Sequence, residues 1–312
     1  MDRRSFCTTL LTFPAALAAA KELVCDVAVI GGGVGGCAAA LAALREGLRV
    51  ILTEQTDWIG GQLTAQGAPP DEHQWIETHG CTRLYPEYRN AVREYYRHNY
   101  PLTDAPRALP YLNPGNSWVS RIAHEPRVSL AVLEAMLAPH VSSGRLTVLL
   151  RHRPIAAGHS RDYVQSVQLR NLEDATKQVL HAAYFLDATE QGDLLPLTKT
   201  EFVTGFESRS QTGEPHAPEK AQPANIQACT YCFAMDYRPG EDHTIDQPAS
   251  YGFWKDYVPD LHPPWLGKLS NVTSVEPATL KPRPLTFDPA CDAKSQRPLP
   301  LDTSNMTLAA NN

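Results

Sequence analysis

The chain has 312 residues, 43% of them apolar, and a net charge of -6. That length supports a large buried core and about two domains. A mild negative charge without any long charged run offers no footprint for a nucleic-acid partner.

The N-terminus carries Arg3-Arg4 before Ser5-Phe6, then runs uncharged from Ser5 to Ala20 and ends in Ala18-Ala19-Ala20. A basic start, a short apolar stretch and a small-residue exit form the pattern of a cleavable signal, and the arginine pair matches the twin-arginine type. Residues 1–20 are therefore expected to be a signal peptide, and the mature protein periplasmic or secreted. The alternative is a cytoplasmic protein with a frayed N-terminal helix. The apolar run is short and broken by Pro14, so no stable membrane span is expected.

Val27-Ala28-Val29-Ile30 reads as a strand, the glycine cluster after it as a tight turn, and the alanine-rich run to Leu44 as a helix stopped by Gly47. Gly31, Gly33 and Gly36 fit G-x-G-x-x-G, with Gly35 in the same cluster. In that pattern the first glycine makes the turn, the second lets a pyrophosphate approach the backbone, and the third lets helix and strand pack closely. The helix start directs free N–H groups and a positive dipole end at the phosphates. A second strand, Leu48–Leu52, leads to Glu54, 18 residues after Gly36. An acid there accepts from a ribose 2′-OH and repels a 2′-phosphate, so an NADP-type adenosine is not expected. The doublet Gly60-Gly61 again permits close backbone approach. Cys37 is read as a small structural residue, and the seven scattered cysteines as too few for a disulfide framework.

Residues 67–82 read as a solvated loop near a substrate pocket. Asp71, Glu72, His73, Glu77 and His79 cluster there but match no compact metal-ligand spacing, and no metal site is assigned. A helix is expected over 86–99 with Pro86 in its first position, followed by a proline-broken segment over 101–126. A second helix spans 128–141. Strands at 146–150, 163–169 and 179–186 complete the nucleotide domain. The last runs into Asp187-Ala188-Thr189-Glu190-Gln191-Gly192-Asp193, a segment expected at the ligand-bearing carboxyl edge of a parallel sheet. The plainer alternative is a strand-to-helix turn with Asp193 as N-cap. Fourteen of the 26 prolines lie in residues 213–312, which makes long helices improbable there. Cys229 and Cys232 form a lone C-x-x-C in an apolar neighbourhood, read as two buried cysteines rather than a redox pair.

With these residues in hand, the chain resembles the bacterial FAD-dependent oxidoreductases built on the glutathione-reductase-like Rossmann fold. The matching stretches are Asp26 to Gly36, Glu54 to Thr64 and Asp187 to Asp193. Pro69 to His73, His124-Glu125-Pro126 and Glu241 to Ile245 match exported members of the group. The resemblance covers most of residues 24–290. It implies an α/β fold: a Rossmann-like FAD-binding domain with a parallel sheet from residues 24–66 and 128–205, an inserted cap or substrate region over 67–127, and a Pro-rich α+β substrate region over 206–289; residues 290–312, with Lys, Gln, Ser and Asn and little apolar surface, read as a disordered tail.

The same resemblance implies that Gly31, Gly33, Gly35 and Gly36 face the FAD pyrophosphate, that Glu54 holds the adenosine ribose, that Gly60 and Gly61 lie along the flavin side, and that Asp187 and Asp193 border the cofactor. The implied activity is hydride transfer between an unknown small substrate and flavin, with reoxidation by a separate electron acceptor. No catalytic residue is assigned; His73, His79 and His124 are candidate bases because histidine titrates near neutrality. Two other readings stand beside it, an NAD-dependent dehydrogenase and a truncated, non-catalytic nucleotide-binding fragment. The second arises because no strand, Gly-Asp pair and helix follow residue 195; Gly240-Glu241-Asp242 lacks a preceding apolar strand.

Overall fold

The computed structural model describes residues 21–66, 70–115, 120–227, 238, 240–260, 267–269, 273–276, 279 and 281–284. The signal-like segment 1–20, Pro69, the Cys229/Cys232 pair and the 290–312 tail lie outside them.

In chain order the elements are β1 (Lys21–Ile30), α1 (Val34–Arg45), β2 (Val50–Thr53), α2 (Gln62–Ala65), α3 (Leu84–Asn99), α4 (Asp104–Arg107), α5 (Pro126–Ser142), β3 (Leu146–Leu149), β4 (His152–Ser160), β5 (Tyr163–Asn171), β6 (Lys177–Asp187), α6 (Leu194–Thr198), α7 (Arg209–Thr212), α8 (Tyr251–Asp256), β7 (Thr273–Val275) and β8 (Pro282–Pro284). Six strands form one sheet in the order β3-β2-β1-β6-β5-β4. β1 sits inside it, paired in parallel with β2 (Val27 opposite Val50) and with β6 (Val29 opposite Leu186). β2 pairs in parallel with β3.

The expected parallel sheet is mostly, not wholly, parallel. β5 runs antiparallel to both β4 and β6. The cause is connection length. Only Arg161 and Asp162 separate β4 from β5, and Arg161 takes the left-handed region at φ 53 to close the turn. Such a link permits a hairpin but no crossover. β4 itself escaped the sequence reading. His-Arg-Pro-Ile-Ala-Ala-Gly-His-Ser lacks alternation, and Pro154 and Gly158 sit at register irregularities on an edge strand, where a missing donor or side chain is tolerated.

Strand alternation divides the core in two. Val27 and Val29 of β1, with Val50 and Leu52 of β2, face the layer of α1, α3 and α5. Cys37, Ala40, Leu41 and Leu44 pack there against Tyr88, Val92 and Tyr96 of α3 and Val132, Leu133 and Leu137 of α5. Ala28, Ile30 and Ile51 point to the opposite face, where they meet Val167 and Leu169 of β5, Leu180 of β6 and Leu194. α3 begins two residues before the expected start. Pro86 still lies in the first turn, where a missing N–H costs no intrahelical bond. α5 opens on Pro126 for the same reason.

The 70–82 loop is exposed over most of its length, as its charges predict, but two of its acids turn inward. Glu72 is almost wholly buried and Glu77 largely so, because Arg89 and Arg93 of α3, both buried, bond to them. From residue 206 onward the described chain is mainly exposed and holds only the short α7 and α8 and the β7–β8 hairpin. Among the described residues no helix is long and apolar enough to cross a membrane.

Leu52 is fully buried between the sheet and the helical layer. Leu52→Ala is expected to lower unfolding free energy by about 2–5 kcal/mol. Leu172→Ala, at a residue 46% exposed, should change it by no more than about 0.5 kcal/mol. Paired urea titrations measure both.

Candidate functional site

The end of β1 and the end of β6 are neighbours, Ile30 opposite Asp187, and Ala188 N–H donates to Ile30 O at 2.7 Å. The glycine turn and the Asp187–Asp193 segment are thereby brought together across 150 residues of chain by parallel pairing. Gly31 has φ +105, and a Cβ there would lie 2.2 Å from Ala188 O. A Cβ on Gly36 would lie 1.9 Å from Gly31 O. Both positions exclude a side chain, so α1 starts directly against the turn. Gly33 is the N-cap, and the first turn of α1 holds no acid. The positive end of that helix is therefore unneutralised by its own residues. Gly35 is exposed, with open space around it, on the solvent side of the helix.

Glu54 leaves β2 pointing back at this turn and is only 8% exposed. Its Oε2 accepts from Gly32 N–H at 3.0 Å, and its Oε1 accepts from the N–H and hydroxyl of Thr56, both at 2.8 Å. Its backbone is clamped too: its N–H donates to Leu149 O and its carbonyl accepts from His152 N–H. Gly60 and Gly61 have φ +109 and +51, and Gly60 N–H donates to Gly32 O at 2.8 Å. The doublet is thus bonded to the first glycine turn, and Gly61 stands 3.0 Å from Gly33 Cα when given a Cβ.

A cleft of about 620 Å³ opens over these groups, within the roughly 300–1,000 Å³ usual for ligand sites. Gly31, Gly33, Glu54, Gly61 and Asp193 line it. Gly35, Gly36, Gly60 and Asp187 do not reach it. Asp187 is used inside the turn: Oδ1 accepts from the N–H and hydroxyl of Thr189, and Oδ2 from Leu194 N–H. Asp193 takes the N-cap position of α6 without a side-chain cap bond.

Among the lining residues not picked out as site residues in the sequence are Thr56, Trp58, His152 and Glu190. Thr56 and Trp58 lie between Glu54 and the glycine doublet, and that position was the available signal. His152 belongs to the unforeseen strand β4. Its Nδ1 lies 2.6 Å from Leu150 O, which fixes the ring. Glu190 Oε1 would stand 2.9 Å from a Cβ on Gly33 and 2.7 Å from one on Gly61. An exposed carboxylate therefore faces the glycine turn.

The three candidate bases lie elsewhere. His73 bridges Trp75 N–H and Gly80 O, and His79 meets Thr78 Oγ1. His124 is buried against Ile122 O, Ser129 Oγ and Tyr88, and burial holds its pKa below the ordinary histidine value. None of them lines the cleft. Among the described residues, no three His, Cys, Asp or Glu side chains converge as a metal site.

Cys37 packs under the turn, Sγ 3.3 Å from Gly32 O. Burial first, and then the charge of Glu54, push its thiol up to about 12; burial raises Cys25 to about 11. Thiolate is the reactive form. At pH 8, iodoacetamide is expected to alkylate the exposed Cys81 and to leave Cys25 and Cys37 unmodified in the folded chain. Peptide mass mapping reads this, and labelling of Cys37 at the rate of Cys81 would contradict the packing.

A family model described as FAD dependent oxidoreductase matches residues 26–298. Solved structures with a similar fold include the myxobacterial chondrochloren halogenase, an FAD-dependent halogenase (20% identity, 54% of this chain and 37% of that one, TM-score 0.35). They also include the L-proline dehydrogenase from P. horikoshii (17%, 62% and 26%, 0.31) and the glycerol-3-phosphate dehydrogenase from Bacillus halodurans complexed with FAD (16%, 53% and 34%, 0.32). The chain aligns with only 26% to 37% of the length of these three. No curated protein matches it. The family match runs through the glycine turn, Glu54, the glycine doublet and the Asp187–Asp193 segment alike, and the chain belongs to the FAD dependent oxidoreductase family.

Proposed function

We propose that the protein is an FAD-dependent oxidoreductase acting on a small molecule, and that the cleft over the glycine turn holds the FAD. One observation carries the reading. The Glu54 carboxylate is fixed against Gly32 N–H, beside a turn where Gly31, Gly33 and Gly61 leave the backbone bare in front of a helix start. A diphosphate fits bare amides at a helix N-terminus, and a ribose diol fits an acid beside them. These groups suit FAD better than NADP, whose 2′-phosphate Glu54 would repel.

FAD supplies hydride exchange with the substrate and a later acceptor. This chain's residues bind and orient it. Gly33 and Gly61 give the diphosphate access; Glu54 and Thr56 set the ribose position; Gly36, Gly60 and Asp187 act through shape, holding helix, doublet and turn together. Gly35, on the solvent side, acts through the helix backbone. Glu190 must swing off Gly33 and Gly61 to admit a diphosphate, which its exposure allows at small cost. Asp193 lies at the cleft wall.

The domain scheme and the cellular location belong to the same proposal. Residues 24–66 and 128–205 form the cofactor-binding part, with 67–127 and 206–289 on the substrate side and 290–312 a tail. Arg3-Arg4-Ser5-Phe6 and the following uncharged stretch support export to the periplasm or beyond, a route suited to a protein that folds around its cofactor first.

Denaturing the purified protein should release FAD, identified by its fluorescence before and after phosphodiesterase. Added FAD at a hundredfold excess over Kd should stabilise the apoprotein by about 2.7 kcal/mol, and NADH should not; the reverse order would favour an NAD-dependent dehydrogenase. Gly33 has an ordinary backbone conformation and abuts only the flexible end of Glu190. Gly33→Val should therefore fold, yet weaken FAD about 100-fold by denying two charge-assisted N–H bonds. Glu54→Gln should weaken it about tenfold. Equilibrium dialysis measures both, and unchanged affinity in the two variants would remove the cleft as the FAD site.

A further inference from the structure

A second cavity, of about 370 Å³, lies between α1, α3, α5 and the 70–82 loop. The single turn of α2 separates it from the nucleotide cleft: Leu63 faces this cavity, while Thr64 and Ala65 face the cleft. Its walls are apolar, from Val34 and Leu41 of α1, Leu84 of α3 and Leu133 and Met136 of α5.

Two carboxylates break that surface, the solvent-exposed Asp71 and the buried Glu72. The Glu72 side chain is 3% exposed and lines the cavity. Its Oε1 accepts from Arg89 and from the Tyr85 hydroxyl, the latter at 2.6 Å. Its Oε2 is buried and has no partner among the described residues. Buried acceptors are normally paired, and a charged one left bare is costly. Arg89 and Arg93 already balance Glu72 and Glu77. An anion would be repelled by Glu72 and Asp71, and a cation seated at Glu72 would meet a charge already balanced by Arg89, with only the solvent-screened Asp71 left to pair it.

We propose that this cavity is a second binding site, for a neutral, mostly apolar small molecule whose single hydroxyl or N–H donor bonds to Glu72 Oε2. The apolar walls would hold the body of the ligand, and a small turn of the Glu72 side chain, needed because Oε2 is itself buried, would present the free lone pair that fixes the ligand's orientation. The site shares no lining residue with the FAD cleft and stands whether or not that cleft binds FAD.

Two probes of nearly equal shape test it, 2-naphthol with a donor and 2-methoxynaphthalene without one, titrated calorimetrically into the full chain. 2-Naphthol should bind once per chain and about tenfold tighter than the ether. Ala38 is an exposed residue of α1 on the cavity rim. Ala38→Trp should fill the cavity and abolish binding of both probes without altering FAD affinity. Glu72→Gln, which can present an amide N–H to the cavity, should remove the preference for the hydroxyl. Should that variant fail to fold, the probe comparison and Ala38→Trp decide alone. Equal affinity for the two probes, no binding of 2-naphthol below about 1 mM, or unchanged binding in Ala38→Trp would each overturn the proposal.

Discussion

The bond from Gly32 N–H to Glu54 Oε2 ties the turn after β1 to the end of β2. Everything around the cleft depends on that short tie. It turns an acid inward, where burial would otherwise oppose a charge, by giving each carboxylate oxygen a donor. It also brings the two so close that a Cβ on Gly32 would lie 2.8 Å from Glu54 Cβ. Parallel pairing of β1 with β6 then brings the Asp187 turn alongside.

The mixed sheet divides labour along its length. The parallel strands β3, β2, β1 and β6 present their carboxyl ends together, as a ligand-bearing edge needs. The antiparallel strands β5 and β4 extend the sheet, and His152, the first residue of β4, is held at the cleft by its N–H bond to Glu54 O. The link between the two halves is the β5–β6 hairpin, whose five-residue connection runs through Ala175 at φ +61.

The helical layer carries a second set of constraints. Arg89 and Arg93 point into the interior from α3 and hold the 70–82 loop by its acids. Such a buried network adds less net stability than its bonds suggest, because four charges lose hydration, but removal of one partner strands another. Its effect is to fix where the loop lies, and so to set the wall of the second cavity.

The strand, the glycine turn, the helix and the position of Glu54 just beyond the second strand were legible in the sequence because each rests on a local rule. Gly31 needs a backbone region closed to side chains, and the apolar periods of β1 and α1 differ in a way that residues alone display. The helices α3 and α5 were legible for the same reason, to within two residues at their starts. Tertiary structure alone decided the rest. The antiparallel half followed from connections too short to cross over; Asp187 turned out to serve its own turn; Glu190 met the glycines only through sheet pairing. Glu72 and Glu77 looked solvated because nothing local marks the arginines, 12 to 17 residues away, that bury them. Backbone conformation is set by neighbours in the chain, whereas the partner of a charge is set by neighbours in space.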